Sequence, residues 1–268
     1  MEKILVPTDF SPVADNALEY AIALATAFKS TIYLYHVYSL DSFTYDGNFP
    51  RHGQPYAEKM AQQMEKTKLK FTESSIGKGV SIKSIIVEDD IYSLFKTRAA
   101  LHDINIIVMG SRGASGMTKL LFGSTAATAM TTATVPVLIV PPQCTFNRLH
   151  NVVLAIDRFP IAQNVVVPLI TLAAKFGAKV TLLNITKASE KKRDTPNDLL
   201  GAGVKTVFRE MPVSKDINAT IDQFIQEEGC DLLCMIRRER GVFKKLFHKS
   251  ITKTQVFSTR VPLLLLPA

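Results

Sequence analysis

The chain has 268 residues, 47% of them apolar and 21% charged, which is the composition of a globular protein and leaves room for one large domain or two of about 130 residues. A net charge of +8 is moderate, and its late clusters, Arg237-Arg238-Glu239-Arg240 and Lys244-Lys245 with His248-Lys249, read as a solvated surface, because no aromatic residues interleave to stack bases; nucleic acid is not an expected partner. Cys144, Cys230 and Cys234 suggest no disulfide framework; Cys230 and Cys234, which flank Asp231-Leu232-Leu233 in a predicted strand, read as buried reduced thiols rather than as a metal or redox pair, and the longest apolar runs, Val135–Val140 and Val261–Leu266, are too short to span a bilayer, so no membrane association is expected.

The first predicted element is a strand at Ile4–Val6. Met1-Glu2-Lys3 leads straight into it without the regions of a signal peptide, so a cytoplasmic location is expected. Asp9 follows in Pro7-Thr8-Asp9 and reads either as a turn or capping carboxylate or as an acceptor for ligand hydroxyls. Ser11 is placed to cap a helix with Pro12 at its first position, where a missing N–H does no harm. Ala14, Ala17, Leu18, Ala21, Ile22, Ala25 and Phe28 mark that helix's apolar face. Thr31–Val37 is the next strand. The polar stretch Asp41–Gln54, which carries Phe43, Tyr45 and Phe49 among turn formers, is an insertion that reads as a lid, a partner-binding segment or a plain loop. Tyr56–Ser75 is a helix with Met60 and Met64 as packing residues, and Val80–Val87 is a strand. Glu88-Asp89-Asp90 reads as the cap of a helix over Asp90–His102 rather than as a metal cluster. His36 and His102 could serve as ligands or bases, but neither shows a partner in the sequence, and both read as satisfied or exposed.

Asn105–Met109 is a buried strand, and Gly110-Ser111-Arg112-Gly113 follows it directly. Nine residues later Gly123-Ser124-Thr125 opens a helix predicted over Gly123–Thr132, and Val135–Val140 is the last strand of this half. Glycines after a strand let main-chain N–H groups approach an anion without a Cβ in the way, and a helix start adds donors and a favourable dipole. Arg112 adds a charged donor. The loop is not a Walker A sequence, because it lacks the Gly-Lys-Ser/Thr ending. Strands separated by crossover helices predict a parallel sheet covered on both faces, with Asp9, Val37 and Gly110 on the carboxyl edge where ligands bind.

The chain then repeats itself. Residues 3–37 and 151–185 align without a gap, so that Asp9 faces Asp157 and Phe28 faces Phe176. At the far end Ile107-Val108-Met109 faces Leu233-Cys234-Met235, and Val135–Pro141 faces Val261–Pro267. The second copy is therefore 22 residues shorter, and Asp41–Gln54 is the expected place of the difference. Two similar domains are predicted, at 1–142 and 150–268. Asp157 is kept in the second, but Ile236 faces Gly110, Glu239 faces Gly113 and Lys249 faces Gly123, while Ser250 still faces Ser124. A branched residue and a carboxylate at the turn obstruct and repel phosphate, so the second copy is expected not to hold nucleotide in the manner of the first.

Taken together, Ile4-Leu5-Val6-Pro7-Thr8-Asp9-Phe10-Ser11, the spacing Gly110-x2-Gly113-x9-Gly123-Ser124 and Val135-Pro136-Val137-Leu138-Ile139-Val140 resemble the universal stress protein family, here in tandem. The resemblance covers essentially the whole chain, with full motifs in the first copy only. It implies two Rossmann-like α/β domains, each a five-stranded parallel sheet with helices on both faces. It also implies ATP, alone or with Mg, as cofactor in one subgroup. By position, Pro7, Thr8 and Asp9 would lie against ribose and adenine, and the main chain at Val37 would read the adenine edge. Met109, Gly110, Arg112, Gly113, Gly123, Ser124 and Thr125 would wrap ribose and phosphates. The family's habit of dimerising implies a built-in pseudo-dimer and, beyond it, a homodimer of tandem chains.

Three functions fit these residues: a nucleotide-binding regulator, a slow ATPase or nucleotidyl or phosphoryl transferase, and a partner-docking module without nucleotide. An enzyme needs a positioned acid, base or nucleophile. No His/Asp or Lys constellation of that kind is visible, so no catalytic residue is assigned and the regulator is preferred.

Overall fold

Nine stretches of the computed structural model are described: residues 1–39, 53–74, 76–112, 122–142, 144–156, 161–186, 203–212, 217–238 and 261–268. They fall into two units, one formed by Met1–Met117 with Gly123–Phe146, the other running over Asn147–Ala268.

In the first unit, β1 (Lys3–Pro7) carries Ile4, Leu5 and Val6 fully buried, which is the signature of a strand covered on both faces. Ser11 then starts α1 (Pro12–Phe28), its hydroxyl accepting the Ala14 N–H at 3.2 Å. The predicted apolar face of α1 is buried from Ala14 to Ala25, joined by Tyr20 and Leu24, while Phe28 at its end is only half-buried. The helix ends at Lys29, whose left-handed backbone (φ 56°) turns the chain into β2 (Thr31–Tyr38). Next come α2 (Gly53–Thr72), in which Met64 is buried, and the edge strand β3 (Ser81–Glu88). A helical stretch follows, made of α3 (Ile91–Ser93), a π-helical turn (Leu94–Arg98) and α4 (Ala99–Leu101). Then β4 (Ile106–Gly110), α5 (Ser124–Thr132) and β5 (Val137–Val140) complete the unit.

All neighbouring strands are parallel, in the order β3-β2-β1-β4-β5. The chain winds outward from β1 to β3, returns to β4 and winds the other way. Right-handed crossovers then place α1 and α2 on one face and the later helices on the other. The reversal lies between β1 and β4, and β1, β2 and β4 end there at Pro7, Tyr38 and Gly110.

The second unit repeats the plan with β6 (Asn151–Ile156), α6 (Gln163–Phe176), β7 (Lys179–Thr186), β8 (Thr206–Pro212), α7 (Ile217–Glu227), β9 (Leu232–Arg237) and β10 (Leu263–Pro267). Its strands are again parallel, in the order β8-β7-β6-β9-β10. Cys230 lies just before β9 and not within it, and Cys230 and Cys234 are both buried. Burial pushes the Cys230 thiol up to about 12 and Cys234 well above the usual range, which marks both as inert packing thiols.

The strands locate the length difference between the copies. It lies in the β2–β3 connection, residues 39–80, against 187–205 in the second unit. The first copy uses that connection for α2, so the difference is larger in scope than a surface loop. The segment 41–52 itself lies outside the described residues. Among the described residues no helix is long and apolar enough to cross a membrane.

Candidate functional site

A cleft opens at the strand-order reversal of the first unit. Eight of the sequence-derived residues line it: Pro7, Thr8, Asp9, Val37, Met109, Gly110, Arg112 and Thr125. Gly123 and Ser124 stand beside it at the start of α5, and Gly113 lies outside the described residues. Ala14, Tyr35, His36, Ile91 and Ala126 also line the cleft; none of them is assigned to it from sequence, where Ala14 reads as a packing residue and His36 as a satisfied or exposed histidine.

The floor at β1 is a tightly bonded turn. Thr8 donates its N–H to the Tyr35 carbonyl at 2.8 Å, extending the β1–β2 ladder by one residue. The Thr8 hydroxyl accepts the Phe10 N–H at 3.0 Å, and Asp9 Oδ1 accepts the Ser11 N–H at 3.1 Å. These bonds hold Phe10 at φ 61°, a region that a residue with a large side chain adopts only under constraint. Asp9 therefore serves the turn with Oδ1, as one of its two sequence readings expects, and is also among the residues that line the cleft.

Gly110 closes the opposite wall. A Cβ built there would sit 2.6 Å from Val13 Cγ1 and 3.0 Å from the Val13 carbonyl oxygen. The first turn of α1 thus approaches the end of β4 as closely as a bare backbone permits. Ser111 donates to the Val140 carbonyl at 3.0 Å, and the Gly123 N–H donates to the Ser111 carbonyl at 2.9 Å, so the glycine loop leaves and returns at one point. Gly123 has ordinary extended backbone (φ −65°, ψ 164°) and offers α5 no side-chain cap. Thr125 and Ala126, in the first turn of α5, line the cleft, and a helix start favours an anion. Arg112 adds positive charge on the same wall.

His36 is buried and bonded. Its Nδ1 is 2.8 Å from the Thr8 carbonyl oxygen and its Nε2 is 3.4 Å from the Tyr56 hydroxyl. His102 is exposed. Burial pushes the Tyr35 phenol above its usual range, opposed by Arg98.

The acidic run beside the cleft is a cap, as its sequence suggests. Asp90 Oδ1 accepts the Ser93 N–H at 2.8 Å. Asp89 pairs with Arg98 across the π turn and accepts the Ser93 hydroxyl at 3.1 Å. The Arg98 guanidinium, with the Asp90 N–H and Ser93 hydroxyl, holds the Asp89 carboxyl below its usual range. A lowered folded-state value means that this contribution is complete above the unfolded-state range, near pH 4, and is lost as pH falls through the lowered value. Asp89→Asn is expected to cost about 1 kcal/mol at pH 7 in chemical denaturation, and the gap from wild type should close in strong acid. An unchanged gap at low pH would contradict the assignment. Among the described residues no group of three or more His, Cys, Asp or Glu is arranged to hold a metal ion.

In the second unit the corresponding positions are filled. Ile236 replaces Gly110 and is buried, and Ile161 stands in the place of Val13. Ile156 and Asn184 stand where Thr8 and His36 do. Helix α6 begins at Gln163, three positions later than α1 does, and Ala162 gives it no side-chain cap. Asp157, Glu239, Lys249 and Ser250 lie outside the described residues.

The profile of the universal stress protein family matches residues 1–141. Universal stress protein MJ0531 of Methanocaldococcus jannaschii is 28% identical over 141 residues, covering 52% of this chain and 81% of that protein. Universal stress protein YxiE of Bacillus subtilis is 28% identical over 147 residues, covering 52% of this chain and 97% of that one. The crystal structure of a universal stress protein from Archaeoglobus fulgidus matches with a TM-score of 0.72 at 18% identity, covering 98% of this chain and 97% of the other; that likeness is one of fold.

Proposed function

The chain belongs to the universal stress protein family, and from that premise we propose that it is an ATP-binding stress-response regulator, with the nucleotide held by the first unit and the second unit in a supporting role. The observation that supports this reading is the cleft at the strand-order reversal, which gathers Pro7, Thr8, Asp9, Val37, Met109, Gly110, Arg112 and Thr125. Gly110, fixed as glycine by the packing of α1 on β4, lines it without a side chain. Adenosine would rest on Pro7, Thr8 and Asp9, with the Val37 main chain at the adenine edge. Phosphates would meet the Gly110–Gly113 turn, Arg112 and the Gly123-Ser124-Thr125 helix start. Met109 would pack beneath the ribose.

Hydrolysis is the second reading. A catalysed attack on the terminal phosphate needs a group to position water and charge to stabilise the leaving oxygen. Arg112 supplies charge, and His36, the imidazole lining the cleft, is committed to Thr8 and Tyr56. Binding without fast turnover follows. Saturating ATP is expected to raise the thermal midpoint, because a ligand at a hundred times its Kd contributes about 2.7 kcal/mol to the folded state. ADP released over the same hour should amount to less than about one equivalent per chain, against the turnover of about 1 per second or more typical of enzymes. No thermal shift would dismiss the binder, and many turnovers per minute would replace it with the enzyme.

A further inference from the structure

We propose that His36 is a positioning residue of this cleft: its imidazole fixes the Thr8–Phe10 turn in the geometry that receives the nucleotide. The inference rests on the ATP-binding reading above and goes beyond it to a residue with no assigned role there.

Two contacts carry it. The Thr8 carbonyl can only accept, so the 2.8 Å contact places the proton on Nδ1 and makes His36 the donor. In the neutral ring that leaves Nε2 as acceptor for the Tyr56 hydroxyl on α2, at 3.4 Å. The second contact is ring to ring. The Phe10 ring centroid lies 4.8 Å from the imidazole, and Phe10 is the residue held at φ 61°. Asp9 sits between the residue whose carbonyl His36 holds and the residue whose ring His36 holds. Its carboxylate can face the cleft only while both stay in place.

The ladder bond from the Thr8 N–H to the Tyr35 carbonyl fixes the strand end but not the rotation of the following peptide. His36 adds a bond to the Thr8 carbonyl, from outside the turn, to those that Thr8 Oγ1 and Asp9 Oδ1 make within it. In the second unit the corresponding position is Asn184, whose amide lies 3.5 Å from Glu210 Oε1.

The test compares ATP affinity by calorimetry for wild type, His36→Leu and His36→Asn. Leucine fills the space without a donor, whereas an asparagine amide can reach the position of Nδ1. His36→Leu is expected to weaken ATP binding about tenfold or more, and His36→Asn to retain it within about threefold, as the loss of one buried hydrogen bond predicts. Equal binding by wild type and His36→Leu overturns the inference and leaves the ATP-binding reading standing. Absent binding by wild type overturns both. Should His36→Leu fail to fold, the imidazole nitrogen spectrum of the wild-type protein at pH 8.5 decides. A protonated Nδ1 and bare Nε2, unchanged by ATP, support the role, and the opposite tautomer overturns it.

Discussion

Gly110→Ile is expected to abolish detectable ATP binding, with an affinity loss of about a hundredfold or more, while the protein still folds. The variant places in the first unit the residue that the second unit carries at Ile236. Its Cβ alone would meet Val13 Cγ1 at 2.6 Å and the Val13 carbonyl oxygen at 3.0 Å. Valine is stiff at χ1 and its carbonyl belongs to the first turn of α1, so neither atom yields without moving the helix start. Overpacking of this kind costs about 1–3 kcal/mol. The second unit indicates the available response: its helix begins three positions later and has no side-chain cap. A retreat of α1 would withdraw Ala14 from the cleft and, through the Ser11 cap, unseat the Thr8–Phe10 turn. Calorimetric titration of the variant, with circular dichroism as the folding control, checks this. Wild-type affinity in a folded Gly110→Ile protein would mean that the close approach does not shape the site.

The second large effect concerns stability and appears in both units. Asn105 Oδ1 accepts two successive N–H groups at the start of β1, from Glu2 at 2.6 Å and Lys3 at 2.9 Å. Asp231 Oδ2 does the same at the start of β6, accepting from His150 at 2.7 Å and Asn151 at 2.8 Å. Each side chain opens a central strand from the residue just before its parallel neighbour begins. Asp231→Ala leaves both donors without this acceptor, one of them partly buried, and is expected to cost about 2 kcal/mol. In urea that corresponds to a midpoint lower by about 1 M. Asp231→Asn should keep most of the stability, because asparagine performs the task at position 105. A midpoint for Asp231→Ala within about 0.2 M of wild type would refute the role.

Much of the fold was legible because its signals are local. Buried apolar runs gave the strands, Ser11-Pro12 gave the start of α1, and Asp90 gave the helix after β3. The residues that sequence reasoning passed over act across the sheet. His36 finds Thr8 on a neighbouring parallel strand, and Asn105 meets Lys3 only through the β1–β4 pairing. Such partners depend on strand order, which spacing along the chain does not carry. Gly110 stands out in the sequence as a glycine directly after a buried strand, but not as the contact surface of Val13, because that requires the packing of α1 on β4. The comparison of copies went further than either copy alone. Gly110 against Ile236 marked the asymmetry, and the later start of α6 gives it a physical form.

That asymmetry is the central claim, and stoichiometry tests it most directly. Titration of the full-length wild-type protein with ATP should give one site per chain, filled in the first unit and lost in Gly110→Ile. Two equivalent sites per chain, or none, would contradict the account.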